Sequence, residues 1–261
     1  MLRYIKILIL CIGISTFWGY GNTHAAKQEL LVMTEQFPPF NFQEGNTVKG
    51  LSTRIVRKLL ERAHLSYKLE LVPWKRAYIT TLNRPNTLIY TIAKTELRKD
   101  KFHWIGKISN RKVSLFRLRT RKDLANMTLE EAKEKAKVAS VQGDASTERI
   151  IEMGFDAKNL TMIRDNTTSN LCIKHVMKGR SDYFPMNPYS LKYRIESGDV
   201  PDLFTDQFVI HDADGYYIAA NLETDPDILE TLRDSYKRLA EERIIHKIIN
   251  AEIQYRWKSQ V

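Results

Sequence analysis

Twice along this chain, short apolar strand-like runs alternate with segments of helical period. That rhythm confines it to an α/β fold with a partly parallel sheet and helices on its faces. In the first set, Leu30–Met33 reads as a strand, and Leu51–Ala63 reads as a helix through Ile55, Val56, Leu59 and Leu60. Tyr67–Val72 alternates like a strand, Trp74–Leu82 returns to helical spacing, and Leu88–Ile92 is a buried-type strand. Thr34–Phe42 is a loop, because Pro38 and Pro39 cannot extend a central strand, and Gly45-Asn46 is turn chemistry.

The second set begins with Val113–Leu118, which alternates again. Thr128 and Glu131 form a capping box at the head of a helix reaching Lys135. Lys137–Val141 is a strand, and a helix from Ser146 or Thr147 to Met153 is closed by Gly154. Leu160–Ile163 is a strand, Thr168–Lys178 a helix stopped by Gly179, and Tyr183–Met186 a strand leading to Asn187-Pro188. Gly198 to Gly215 reads as loop-rich. Tyr216–Ala220 is a strand, and helices follow from Pro226 to about Ala240 and from Ile244 to Ile253. Two similar units, with a return to strand and helix, predict two lobes joined by two crossings. Residues 26–111 with 213–261 would make lobe one, and 112–212 lobe two.

The first 25 residues read as a secretory signal. Arg3 and Lys6 give a positive start, Ile7–Ile14 is a short apolar run, and Thr23-His-Ala25 supplies small residues for cleavage after Ala25. Cys11 would leave with the signal, and Leu10 sits where a lipoprotein signal wants a small residue. Cys172 then stands alone in an amphipathic pattern, a core residue with no internal disulfide to form. An exported, periplasmic chain is expected. Net charge is +10, and removal of Arg3 and Lys6 leaves +8. The basic residues are scattered, with clusters at Arg111-Lys112 and Arg117–Lys122. No zinc spacing or nucleic-acid motif accompanies them, so nucleic acid is not an expected partner.

Chemistry concentrates in Tyr90–Gly106. An apolar run carries Thr91 and Thr95, then come Arg98, Phe102 and Trp104. An arginine held after a strand offers a planar, permanently charged fork that fits a carboxylate. A surface arginine on a first helical turn would look the same.

The block resembles the Thr-x-x-Arg segment of family 3 extracellular solute-binding proteins, the periplasmic receptors of polar amino acid importers. The resemblance runs along the whole mature chain, in order: Thr34-x-x-Phe37-Pro-Pro-Phe40, Gly50–Val56, Pro73-Trp74-x-Arg76, Thr91 to Arg98, Val138–Asp144, Gly179-Arg-Ser-Asp182 and Leu229–Ile249. The Pro73-Trp74-x-Arg76 and Arg98…Trp104-x-Gly106 pieces resemble a divergent branch of that family.

The resemblance implies a two-lobed periplasmic-binding-protein (type II) fold, each lobe a mixed sheet flanked by helices. It implies a monomer that needs no cofactor or metal and binds a small carboxylate-bearing, amino acid-like solute for an ABC permease or a membrane sensor. By resemblance Phe37 and Trp74 wall the ligand, Thr91, Thr95 and Arg98 hold its carboxylate, Gly143 and Asp144 supply a helix N-terminus, and Asn187 orients the far side. Asn187 is a neutral amide where the family places a carboxylate for the ligand's ammonium group, and Ala93 stands where a hydroxyl is usual; Asp144 or Asp214 could supply the missing charge. Plain structural roles compete: Phe37 as a loop anchor, Asp144 as a helix cap, Arg76 in a surface ion pair. The chain is read as a binding protein rather than an enzyme. Cyclohexadienyl dehydratases on the same scaffold are the enzymatic alternative, with Glu35, Lys94 and His103 as proton donors. A module that binds a partner protein is the third reading.

Overall fold

The computed structural model describes residues 29–164 and 170–257. The expected signal segment lies outside them, as does the expected helix start at Thr168. The first part of the chain forms β1 (Leu30–Thr34), β2 (Phe42–Glu44), β3 (Thr47–Lys49), α1 (Leu51–Arg62), β4 (Tyr67–Leu71), α2 (Trp74–Asn83), β5 (Thr87–Ala93) and β6 (His103–Leu118). The middle forms α3 (Lys122–Ala125), α4 (Leu129–Lys135), β7 (Val138–Val141), α5 (Ala145–Glu152), β8 (Leu160–Ile163), α6 (Asn170–Met177), β9 (Phe184–Met186) and α7 (Pro188–Glu196). The chain then runs through β10 (Phe204–Ala220), α8 (Pro226–Glu241) and α9 (Ile244–Trp257).

The main sheet has the order β4-β1-β5-β10-β6-β9. β1 pairs in parallel with β4 and β5, as crossover helices α1 and α2 require. β5 is buried along its whole length, which explains its unbroken apolar run. Its one phenol, Tyr90, is satisfied by Thr53 Oγ1 of α1 at 2.9 Å. α1 buries Leu51, Ile55, Val56, Leu59 and Leu60 against this sheet, each contributing roughly 1.5–3 kcal/mol. β7 and β8 form a second, parallel pair, and Val138 bridges to Tyr183 beside β9. The Thr128–Glu131 capping box is present in full.

β6 and β10 are longer than the sequence suggests. They pair antiparallel along their whole length, from Phe204↔Leu118 to Ala220↔His103. The apolar cores separate along them. One side holds Leu30 to Ile108 with Tyr216 to Ile248; the other holds Val113 to Ile210. The two strands are therefore the crossings between lobes. The stretch from Gly198 to Gly215, expected as loop, is strand from Phe204 on. Its polar residues mask a pairing that β6 supplies. A register break separates Asp212 and Gly215, and Asp214 adopts φ +63°. A second surprise is α7, where Asn187 caps the helix through Tyr189 N (2.9 Å) and Ser190 N (3.2 Å) and Pro188 opens it.

Gly50 joins β3 to α1 at φ +114°, and a Cβ there would lie 2.4 Å from the Phe40 carbonyl oxygen. Backbone against backbone leaves no flexible atom to yield. Gly50→Ala is expected to cost about 2 kcal/mol, measured by urea denaturation, and to shift the loop carrying Glu35 and Phe37. Stability within a few tenths of wild type would show that the loop moves freely.

Candidate functional site

The loop after β1 brings Glu35 and Phe37 to the cleft between the lobes. Phe37 is held by stacking on Phe40 (centroids 4.9 Å apart) and by an edge contact with Tyr216 (5.6 Å). From α2 comes Trp74, and from the middle of β5 comes Thr91. The β5–β10 register shifts between Tyr217 and Ile218, partners of Ile92 and Tyr90, so Thr91 is the extra residue of a bulge. It takes φ +63°, an uncommon state for a β-branched residue. Among the described residues its buried hydroxyl has no partner. From the other lobe come Asp144 at the head of α5, Asn187 at the head of α7, and Cys172 of α6. Together with Arg98, Arg111, Ser146 and Tyr216 these groups line a cavity of about 90 Å³. That is several times the roughly 10–15 Å³ one water requires.

The lobes touch at both rims of this cavity, so the conformation is closed. On one rim the left-handed turn at Gly143 (φ +76°) presents its carbonyl to lobe one. Trp74 Nε1–H donates to that oxygen at 3.2 Å and Arg98 Nη2 at 2.9 Å. Arg98 also pairs with Glu148 at 2.8 Å, and its guanidinium lies 5.1 Å from the Trp74 ring and 5.4 Å from the Tyr78 ring. At 3% exposure it is a desolvated arginine, with its charge matched by Glu148 and two N–H bonds made from Nη2. On the other rim Ser190 Oγ donates to the Pro38 carbonyl, and Tyr189 meets Phe40 edge-on.

Burial shapes the acids and bases of the cavity. The Glu35 carboxyl is pushed up to about 8, first by desolvation, then by Asp144, with Arg98 pulling the other way. Glu35 keeps partial exposure at the cleft, and the atoms packed around its carboxyl desolvate it. Burial raises the Tyr216 hydroxyl to about 12, and burial with Asp144 raises the Cys172 thiol to about 12. Cys172 is therefore a neutral thiol at physiological pH, not a nucleophile. Asp144 Oδ1 caps α5 through Ser146 N at 2.7 Å. Among the described residues no group of His, Cys, Asp and Glu forms a metal site. Nor is any described helix long and apolar enough to cross a membrane.

No protein-family model matches the chain, and no curated protein matches it in sequence. Solved structures do match. A histidine kinase sensor domain described as similar to periplasmic binding proteins aligns with TM-score 0.75 at 16% identity, over 87% of this chain and 96% of that one. An ancestral arginine-binding protein bound to glutamine gives 0.72 at 14% identity, over 85% and 96%. An arginine transport periplasmic binding protein from Legionella pneumophila gives 0.70 at 16%, over 85% and 98%. The fold is that of the two-lobed periplasmic binding proteins.

Within that periplasmic-binding-protein fold, the sequence-expected residues divide. Phe37, Trp74, Thr91, Arg98, Asp144 and Asn187 line the interlobe cavity. Thr95 does not; it faces an adjoining groove with Glu148, His211 and Asp214, and its carbonyl accepts from Arg98 N at 3.0 Å. Gly143 offers its carbonyl to lobe one, where the sequence suggested a backbone N–H for an anion. Asp214 is exposed and bonded to the Tyr217 hydroxyl at 3.0 Å. Lys94 sits 5.5 Å over the Trp104 ring and His103 bonds the Leu222 carbonyl, both away from the cavity. Sequence reasoning missed Arg111, read only as part of a basic pair, and gave Glu35 no binding role. The available signal was position: Glu35 directly follows a buried strand, and Arg111 interrupts an alternating one.

Proposed function

We propose that this protein is an exported receptor that closes its two lobes around a small, amino acid-like solute and presents the closed form to a membrane permease or sensor. The supporting observation is a closed interlobe cavity holding two guanidinium groups, Arg98 and Arg111, and two carboxyl groups, Glu35 and Asp144. Such a set suits a zwitterion, with an arginine for its carboxylate and an acid for its ammonium group. Phe37, Trp74 and Thr91 wall the solute, and Asp144 supplies the charge that Asn187 lacks. Asn187 fixes the head of α7 beside it. The lobe boundaries we propose, 111/112 and 212/213, fall at the register break between the crossing strands, where closure would hinge. The resemblance to arginine-binding proteins favours a polar amino acid, and the resemblance to a sensor domain keeps a sensory partner open. We propose cleavage after Ala25 and a periplasmic location. An enzyme is the weaker reading: of its three candidate proton donors only Glu35 reaches the cavity, while Lys94 and His103 lie away from it.

The experiment is a thermal-shift screen of the mature protein against amino acids, simple carboxylates and short peptides. A ligand at a hundred times its dissociation constant should add about 2.7 kcal/mol, a rise of roughly 5–10 °C. No response across all three classes would reject the solute receptor.

A further inference from the structure

Four charged side chains reach the interlobe cavity, and they are not equally free. Arg98 is matched by Glu148 and tied to the Gly143 carbonyl. Asp144 spends one oxygen on the cap of α5. Glu35 is shielded from bulk solvent in the cleft. Arg111 differs from the rest. It stands on β6 where the chain crosses between lobes, and is 4% exposed. A guanidinium carries five N–H donors. Among the described residues Arg111 spends one, donating from Nη2 to Ser146 Oγ at 3.2 Å, and it makes no ion pair. A buried cation with no carboxylate in contact is costly and is seldom kept without a use. Two further features of the same cavity favour an anion. Thr91 Oγ1 is buried with no partner among the described residues, on a residue in the left-handed region. Ala145 and Ser146, the first turn of α5, also line the wall, and the helix dipole attracts negative charge there.

We propose that Arg111 is the anchor for the carboxylate of the bound solute, and that Arg98 is the latch that closes the cleft over it. This rests on the receptor reading above and deepens it. Ser146 Oγ holds the Arg111 fork, and Thr91 Oγ1 is free to donate to the same carboxylate. Glu35 and Asp144 remain for a cationic group of the solute. Arg98 spans the rim, packed over the Trp74 and Tyr78 rings of its own lobe, and its hydrogen-bond and ion-pair partners belong to the opposite lobe. Its role is to stabilise the closed form. This reverses the assignment that resemblance alone would give.

The test uses Arg111→Met and Arg111→Lys in the full mature chain, with the standard L-amino acids, acetate and succinate as probes. Without any probe, Arg111→Met is expected to melt roughly 3 °C higher than wild type, because it removes an unpaired buried charge. Its affinity for the wild type's best probe should fall about a hundredfold. Arg111→Lys keeps the charge and loses the fork, and should bind about tenfold more weakly. A lower melting point for Arg111→Met without probe would mark the arginine as structural and overturn the proposal. Wild-type affinity in either variant would overturn it too, leaving the receptor intact. A wild-type protein that responds to none of the probes would remove the receptor reading and this assignment together.

Discussion

Arg98→Ala is expected to destabilise the protein by about 3 kcal/mol, the largest loss we foresee from a single substitution at the cleft. The pair it breaks is desolvated: Arg98 is 3% exposed and Glu148 only 16% by side chain. Removing one member strands the other charge, and broken buried pairs typically cost 3–5 kcal/mol. We take the low end because Glu148 keeps some solvent. The Gly143 carbonyl also loses its shorter donor, and the Trp74 and Tyr78 rings lose the cation that lies over them. Since the Glu148 and Gly143 contacts both cross the cleft, the loss should fall on the closed form. Small-angle scattering should report a larger radius of gyration for the variant than for wild type. Adding Glu148→Ala should recover part of the stability, with a coupling energy of about 1.5–3 kcal/mol. Additive costs and an unchanged radius would show that the latch carries no weight.

Glu35→Gln should have the second-largest effect, and its sign should depend on pH. The Glu35 carboxyl is raised in the folded protein to about 8 from 4.5, through burial first and Asp144 second. A raised carboxyl contributes most to stability below its unfolded value, and that contribution is lost as pH climbs through the folded value. At pH 5 glutamine and protonated glutamate are near equivalents, so wild type and variant should match closely. By pH 9 the wild type must ionise Glu35 beside Asp144, and the variant need not. Its advantage there should be on the order of 3 kcal/mol, the full shift being discounted for water admitted to the cleft. Urea denaturation of both proteins at pH 5, 7 and 9 measures the difference directly. A difference that stays flat across that range would mean Glu35 ionises normally. The same group gives binding a pH signature. A solute ammonium group placed near Glu35 lowers its pKa, so binding near neutral pH would release a proton.

Much of the fold was legible because its signals are local. The apolar run of β5, the 3.6-period face of α1 and the Thr128–Glu131 capping box each declare themselves within a dozen residues. β10 did not, since Asp206, His211 and Asp212 have no strand propensity of their own and pair only because β6 lies beside them. α7 has a readable start in Asn187-Pro188, but its buried face is Ser190, Leu191 and Arg194, too polar to show a helical apolar period. At the cleft, residue types were easier to foresee than their allegiances. Arg98 is where an anion-binding arginine was expected, yet Glu148, fifty positions along the chain, already occupies it. Arg111 and Glu35 gain their meaning only when two lobes enclose them.

The crossing strands also set an order of assembly. The core from Val113 to Ile210 is one continuous stretch of chain, so it can close as soon as β10 begins to form. The other core cannot. β5 must wait for Tyr216–Ala220 to cover its open edge, and Ile55, Leu59 and Leu60 of α1 must wait for Leu229 to Ile248. Contacts of such long sequence separation form slowly, and edges left open meanwhile invite wrong pairing. A chain threaded from its N-terminus therefore carries an unfinished first lobe through most of its emergence, and the part of the molecule that appears earliest is the part that folds last.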